Sequence, residues 1–310
     1  MDARAVIYEA YGVVIDSELA LPLPEQPHSP DHRPRVQIRR GPVDTRDVQF
    51  APVTGVDDDE DVWLAMGWLN DRTVLQFSDL AAELVDSRVT VDQLDVDDSD
   101  YLAHVVLDHV VPRWLALHGD VVLHAGAVVP PHGHAVAMIG DPGQGKSTMT
   151  AGLGLAGWRV LGDDACRLLR NGDDWLAHPS YPGARLLGDS RRALMPGAPS
   201  TPMADGAGKH RVTGDLPFAT EPARLAAIVE LGGHSASPSL HPMSFSQATA
   251  SLTRHSFILA PRLAEVASRA FTLSSSLASD VRCLTLTFPR RWDVYPDVIE
   301  VLDDLVGSLA

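Results

Sequence analysis

Cysteine, lysine, aromatic residues and long apolar runs are all scarce in this chain of 310 residues. The only two cysteines, Cys166 and Cys283, exclude a disulfide framework, and because each lies in an apolar stretch we expect both to be reduced core thiols. Aromatic residues make up 6% of the chain, whereas hydrophobic residues make up 45%. That apolar content is enough for one sizeable core, or for one core and a smaller additional domain, and excludes disorder as the main state.

No stretch approaches the roughly 20 uncharged apolar residues that a membrane-spanning helix needs, so we expect no membrane partner. The opening MDARAVIYEAYG has neither the basic start nor the apolar run of a signal peptide. These two features predict a cytoplasmic protein.

Positive charge is also sparse, since 25 basic residues face 41 acidic ones and the formal net charge is −16. Nonspecific binding to duplex nucleic acid depends on lysine and arginine, so we expect no nucleic-acid partner. The acidic excess is uneven. Residues 1–118 carry 23 acidic and 9 basic side chains, whereas residues 119–310 carry 18 and 16. This difference predicts two regions that meet near residue 118.

The first region reads as a small β-rich domain. Its short alternating runs, such as RVQIRR and TVLQFS, are separated by proline, glycine and acidic stretches. From Ser99 the apolar spacing becomes helical and predicts a connecting helix that ends by Gly119. The acidic run from Asp57 to Asp61 is interpreted as a solvated loop rather than a cation site. We therefore assign 1–118 to an N-terminal domain and 119–310 to a second domain.

The second region has an α/β pattern. The strand VVLHAGAVV, a turn and the strand HAVAMIG precede a glycine-rich loop, a helix and the strand RVLGDDACRLL, an order that predicts a βαβ unit in a mixed, partly parallel sheet. The segment after residue 180 is interpreted as irregular chain beside the site. The strand LAAIVELGG, a helix over about 248–277, the strand CLTLTFP and a closing helix DVIEVLDDLVGSL complete the pattern.

The glycine-rich loop fits GxxxxGK[ST] between an apolar strand and a helix, the context that favours phosphate binding over a turn without a ligand. The nucleotide-binding candidates are Gly140, Asp141, Gly143, Gln144, Gly145, Lys146, Ser147 and Thr148. Lys146 would reach the β and γ phosphates and contribute to catalysis, and Ser147 would bind magnesium. The chain has only one other lysine, Lys209.

Asp163 and Asp164 end the strand after that helix, at the edge where α/β sheets bind ligands. One carboxylate could hold magnesium while the other takes a proton from an attacking hydroxyl, although the alternative is a loop pair in which one acid caps the next element. His124 reads either as a core residue or as a functional one.

Two further groups of candidates have weaker signals. Lys209 and Arg211 share a face if their segment is extended, and would either clamp a phosphoryl group or lie in a solvated loop. His132 and His134 are interpreted as an exposed turn rather than a metal site.

Taken together, LHAGAVV, AVAMIGDPGQGKST and GWRVLGDDAC resemble the HPr kinase/phosphorylase family and its relatives with the phosphoenolpyruvate-carboxykinase-like phosphate-loop fold. The resemblance covers mainly residues 120–170. It implies ATP and Mg²⁺ as cofactors, Asp163 as a base polarised by His124, and Asp164 as a magnesium ligand. It also implies that Asp141 lies beside the transferred phosphoryl group.

Residues 1–118 do not resemble the family's regulatory domain, and its glycine-rich HPr-contacting signature is missing. The segments YEAYGVVIDSELALPLPE, YPGARLLGDSRRAL and GKHRV are instead similar to a diverged branch of serine kinases found with peptide-modifying clusters, including those for lasso peptides. This resemblance implies a kinase acting on a serine or similar hydroxyl of a peptide or protein. The alternatives are a small-molecule hydroxyl kinase, or a nucleotide-binding switch without an acceptor. The family's rings suggest a homo-oligomer by analogy only, and the residues themselves do not indicate an oligomeric state.

Overall fold

The structure is a computed structural model that describes residues 5–26, 33–53, 63–93, 99–203, 208–212, 214, 216–257 and 264–308. The chain divides into two compact units, one formed by residues 1–114 with 258–268 and the other by residues 115–257 with 269–310. The acidic run from Asp57 to Asp61 lies outside the described residues.

The first unit contains one mixed sheet, in agreement with the β-rich pattern of its sequence. Its strands are β1 (Val6–Ala10), β2 (Val13–Ser17), β3 (Arg35–Arg40), β4 (Gln49–Pro52), β5 (Leu64–Leu69), β6 (Arg72–Phe77), β7 (Leu80–Val85) and β8 (Arg88–Gln93). They lie in the order β1-β2-β3-β8-β7-β6-β5-β4. Strand β3 pairs in parallel with β2 and β8, and its alternating pattern buries Val36 and Ile38.

The predicted connecting helix is confirmed, but it is not uniform. Helix α1 (Ser99–Val105) continues into a π-helical turn (Val106–Val110) and then into α2 (Val111–Leu117). The boundary between the two units falls within α2. Apolar spacing predicts helical periodicity but does not reveal a π-helical turn, which inserts one extra residue into the repeat.

The chain from Val121 onwards alternates strands and helices, and it belongs to the second unit except for residues 258–268. Its elements are β9 (Val121–Leu123), β10 (Gly126–Val129), β11 (Ala135–Ile139), α3 (Lys146–Leu155), β12 (Arg159–Gly162), β13 (Cys166–Asn171), β14 (Asp174–His178), β15 (Ala184–Leu187), α4 (Gly188–Leu194), β16 (Ser200–Pro202), β17 (Lys209–Val212), β18 (Ala223–Leu231), β19 (Ser239–Pro242), α5 (Phe245–Arg254), α6 (Ala264–Asp280), β20 (Arg282–Thr287), a 3₁₀ turn (Trp292–Val294) and α7 (Tyr295–Gly307).

The main sheet of this unit has the order β12-β10-β11-β18-β14-β13-β9, and β20 adds to β18 and β19. Strand β11 pairs in parallel with β18, and β18 with β20, whereas β10 is antiparallel to both β11 and β12. The prediction of a mixed, partly parallel α/β sheet is therefore confirmed.

Strand β11 is buried on both faces, which explains its uninterrupted apolar sequence. Ala135, Ala137 and Ile139 join a core cluster that includes residues of α5 and α6. The alternate residues Val136 and Met138 join a second cluster that includes residues of α3 and α7. The glycine-rich loop after Ile139 therefore leaves the sheet between two helical layers.

Two strands predicted as continuous are interrupted. VVLHAGAVV breaks at His124, so that β9 pairs with β13 whereas β10 pairs with β11 and β12. RVLGDDACRLL breaks at Asp163 and Asp164. The two interruptions meet, because the backbone N–H of Ala125 donates to the carbonyl of Asp164 at 3.1 Å.

Two other predictions for this region are wrong. The segment after residue 180 is not irregular, since it forms α4 and a three-stranded sheet in the order β15-β17-β16. The single helix predicted over 248–277 is two helices, α5 and α6. The chain leaves α5 because Ser256 forms a β-bridge with Leu123, and the carbonyl of His255 accepts a hydrogen bond from the backbone N–H of His124 at 2.8 Å.

Both cysteines are buried free thiols, as expected. Within the described ranges, no helix combines the length and apolar character needed to cross a membrane.

Candidate functional site

The glycine loop, Gly140–Ser147, connects the end of β11 to the first turn of α3. Gly145 begins the helix with φ of 94°, a left-handed conformation that favours glycine, and it provides no side-chain cap. The first backbone N–H groups of α3 therefore have no capping side chain. Such a helix start attracts anions, which fits the predicted role of the loop.

Lys146 is nearly buried, and its ammonium donates to the carbonyl of Gly140 at 2.6 Å. Burial lowers its pKa, and so does the positive charge of Lys209, whereas Asp164, Asp163 and Asp141 raise it. The structure thus brings both lysines and all three predicted acidic residues within electrostatic reach of one another.

Asp163 has a fully buried side chain. Its Oδ2 accepts the backbone N–H of Arg185 at 2.7 Å and lies 3.8 Å from the guanidinium of the same residue. Its Oδ1 has no hydrogen-bond partner of normal geometry among the described residues, although the Ser147 hydroxyl is close enough to lower its pKa. Burial outweighs these contacts and raises the pKa of Asp163 to about 6.

Asp164 faces His124 rather than Arg185. His124 Nδ1 lies 3.7 Å from Asp164 Oδ1, and 34% of the His124 side chain and 10% of the Asp164 side chain are exposed. Burial lowers the pKa of His124 to about 4 despite the opposing charge of Asp164, so the ring is neutral at pH 7. The resemblance paired His124 with Asp163, whereas the structure pairs it with Asp164.

Asp141 and Gln144 lie on the exposed side of the loop and contact different elements. Asp141 Oδ1 is 3.7 Å from Nε of Arg254 in α5, and Arg254 also donates to Glu230 at 2.8 Å. Gln144 accepts hydrogen bonds from the guanidinium of Arg290 through both its backbone carbonyl and its side-chain oxygen. These contacts connect the loop to α5 and to the segment after β20.

The remaining predicted residues divide into two groups. Lys209 lies near the loop, because its charge lowers the pKa values of His124 and Lys146. Thr148 donates from Oγ1 to the hydroxyl of Ser190 at 3.0 Å. Arg211 instead stacks on Tyr181, with its guanidinium carbon 5.4 Å from the ring centroid, and donates to the carbonyl of Pro182.

The turn with His132 and His134 has no part in this arrangement. His132 is exposed, and Nε2 of His134 lies 3.4 Å from a guanidinium nitrogen of Arg224. Across the described ranges, no group of three or more histidine, cysteine, aspartate or glutamate side chains is arranged to hold a metal ion.

Sequence reasoning missed Arg185, Glu230, Arg254 and Arg290. Arg185 lies in YPGARLLGDSRRAL, a segment that carries part of the resemblance but is interpreted as irregular, and Arg254 lies inside a helix predicted to be continuous. Glu230 could have been found from the sequence, since it is an acidic residue near the end of the apolar strand LAAIVELGG. Its pairing with Ile139, the residue before the glycine loop, brings it to the site edge.

The residues present fit a nucleotide phosphate and Mg²⁺. The uncapped start of α3 and Lys146 match phosphate, and Ser147 with the unsatisfied Asp163 Oδ1 matches the hard oxygen ligands that Mg²⁺ prefers. Magnesium usually needs only one or two carboxylates besides substrate phosphates and water.

No protein-family model matches the chain, and no curated protein matches it significantly. Among solved structures, the chain is similar to one described as the Hpr(Ser) kinase/phosphatase from Coxiella burnetii. The alignment has 11% sequence identity and a TM-score of 0.31, and covers 59% of this chain and 94% of that chain. A superposition this loose does not transfer residue roles or function.

Proposed function

We propose that the chain is an ATP- and Mg²⁺-dependent phosphotransferase acting on a serine or similar hydroxyl of a peptide or protein. The observation that carries this proposal is the pair of carboxylates beside the glycine loop, one near Ser147 and the other near His124. A single carboxylate would suffice for nucleotide hydrolysis, whereas transfer to a hydroxyl also needs a proton acceptor. The phosphoenolpyruvate-carboxykinase-like assignment of the fold is part of the same proposal.

In this proposal Lys146 and the start of α3 bind the nucleotide phosphates, and Lys146 exchanges its contact with Gly140 for phosphate oxygens. Ser147 and Asp163 would hold magnesium. Bound Mg²⁺-ATP supplies the phosphoryl group, with the metal neutralising charge on the phosphate oxygens. Lys209 adds positive charge near Lys146, where negative charge must be stabilised.

We assign the role of general base to Asp164, which reverses the order that the resemblance implied. Geometry decides first, because a base must reach the hydroxyl whose proton it takes. Asp163 is fixed by Arg185 beside Ser147, the proposed metal ligand, whereas the side chain of Asp164 faces His124 and is 10% exposed. Neutral His124 orients Asp164 and can share the proton that the carboxylate accepts.

The test is to incubate the purified protein with ATP, Mg²⁺ and either a serine-containing peptide library or a cell extract, and to search the products by mass spectrometry for the gain of one phosphate. We expect phosphorylated products with the wild type and none with Lys146→Ala. Release of inorganic phosphate at the same rate with and without acceptors, and no phosphorylated product, would replace the kinase with an ATPase or switch.

A further inference from the structure

A cavity of about 200 Å³ opens beside the glycine loop, on the side of α3 and α7. Its lining includes Gly145 and Thr148 from the start of α3, Asp189 from α4, and Arg290, Trp292 and Tyr295 from the segment after β20. Because Gly145 and Thr148 belong both to the helix start and to the cavity wall, a ligand that begins in the glycine loop can continue into the cavity.

The segment after β20 contributes two aromatic side chains to the cavity lining, Trp292 and Tyr295. Trp292 is 45% exposed, which is unusual for so large an apolar side chain. Its ring centroid lies 6.0 Å from that of Tyr295, at an interplanar angle of 47°. The hydroxyl of Tyr295 donates to the carbonyl of Thr148 at 2.7 Å, which fixes this aromatic ring to the first turn of α3.

Polar groups complete the cavity. Arg290 lies over Phe288, with 4.5 Å between the guanidinium carbon and the ring centroid, and donates to both oxygens of Gln144 in the glycine loop. Asp189 is exposed, and its carboxylate, whose Oδ1 accepts the backbone N–H of Ser190 at 2.8 Å, can also accept hydrogen bonds from hydroxyl groups. The cavity thus combines an exposed aromatic face with an acceptor for sugar hydroxyls.

We infer that this cavity is the nucleoside subsite of the proposed nucleotide site, with the base stacked on Trp292 and the ribose hydroxyls directed to Asp189. This inference rests on the proposed function and adds to it the part of the ligand that the glycine loop does not contact. Stacking on an aromatic side chain tolerates different bases, so we expect a preference for nucleotides over bare polyphosphate, and weak discrimination among bases.

The decisive comparison is between two ligands that share their phosphates. Calorimetric titration measures the affinity of Mg²⁺-ATP and of Mg²⁺-tripolyphosphate for the wild type, Trp292→Ala and Trp292→Phe. Since stacking contributes roughly 1–3 kcal/mol per base, Trp292→Ala should weaken ATP about 5- to 150-fold and leave tripolyphosphate within about twofold. Trp292→Phe should recover most of the loss.

Phe271→Ala is the matched control, because Phe271 is 57% exposed in α6 and does not line the cavity. Unchanged ATP affinity in Trp292→Ala would overturn the inference while the proposed function stands. Equal weakening of ATP and tripolyphosphate would also overturn it, by showing that Trp292 supports the loop instead of the base. A wild type that binds neither ligand would overturn the proposed function as well.

Discussion

Asp163 and Asp164 are neighbours in sequence but have opposite surroundings. Asp163 is buried against Arg185 and Ser147, whereas Asp164 faces the neutral ring of His124. Two adjacent carboxylates in different environments can divide two tasks between them, one binding the metal and the other accepting a proton. The structure therefore allows each task to be tested by a single substitution.

We expect Asp164→Asn to bind Mg²⁺-ATP within about twofold of the wild type and to lose transfer by about 100-fold or more, the scale of a removed general base. Asp163→Asn should instead require more magnesium for nucleotide binding and recover part of its activity as magnesium is raised. Titration of ATP at several magnesium concentrations, together with single-turnover transfer, measures both effects. If the two phenotypes are exchanged, the assignment implied by the family resemblance is correct.

His124 gives a second expectation at this scale, through the pH dependence of stability. Its pKa is about 4 in the folded chain against 6.5 for the free side chain, so between these values the unfolded chain binds a proton that the folded chain does not. The free energy of unfolding of the wild type should therefore fall as the pH drops from 6.5 towards 4. The free energy of unfolding of His124→Gln should fall less over the same range.

Because the ring is partly exposed, we reduce the effect that the pKa shift alone would give. Between pH 7.5 and pH 5, the wild type should lose about 1 kcal/mol more unfolding free energy than His124→Gln. Urea unfolding of both proteins at the two pH values measures it. A parallel loss of stability in the two proteins would show that the ring is not desolvated.

Helix α3 approaches the sheet closely at one glycine. A Cβ added at Gly126 in β10 would lie 2.1 Å from the hydroxyl oxygen of Thr150, which is buried. Gly126→Ala should therefore reduce the free energy of unfolding by about 1–3 kcal/mol, as overpacking does. When Thr150→Ala has removed that hydroxyl, Gly126→Ala should reduce the free energy of unfolding clearly less.

Chemical denaturation of the two single variants and the double variant forms the cycle that measures this coupling. Gly307→Ala is a matched control, because a Cβ there meets nothing within 4 Å. Additive effects of the two substitutions would mean that α3 shifts away from β10 at little cost.

Much of the element order could be predicted from the sequence, because apolar periodicity reports burial. The glycine loop between β11 and α3, the strand β18 and the closing helix α7 follow directly from such patterns. Periodicity does not report where a chain leaves its element to pair elsewhere. The breaks at His124 and His255 depend on hydrogen bonds between distant segments, so both were missed.

The site shows the same limit. Phosphate and metal binding need particular residue types at fixed positions after a strand. The sequence alone therefore predicts Lys146, Ser147 and the paired aspartates as site residues. Arg185 and Arg290 come to the site from segments without any such spacing, since an arginine that pairs with a distant carboxylate or carbonyl leaves no local pattern. The partner of His124 depends on side-chain directions at two chain breaks, which the sequence does not report, and in the structure the nearby carboxylate is that of Asp164.

The whole molecule carries a net charge of −16, most of it within residues 1–118. Repulsion among like charges opposes a compact state, and salt screens it. We therefore expect the Tm at pH 7.5 to rise by a few degrees when KCl is raised from about 10 to 500 mM, because the Debye length then falls from roughly 30 Å to a few ångströms. Scanning calorimetry checks this. A falling Tm would show that ion pairs such as Arg167 with Asp120 outweigh the repulsion.

The clamp between Arg290 and Gln144 joins residues 146 positions apart in the sequence. A ribosome adds about 5–20 residues per second, so Gln144 is added to the chain roughly 7–30 s before Arg290. During that interval the glycine loop of the nascent chain lacks the hydrogen bonds from Arg290 to Gln144. The loop can therefore reach its final form only after Arg290 has been synthesised.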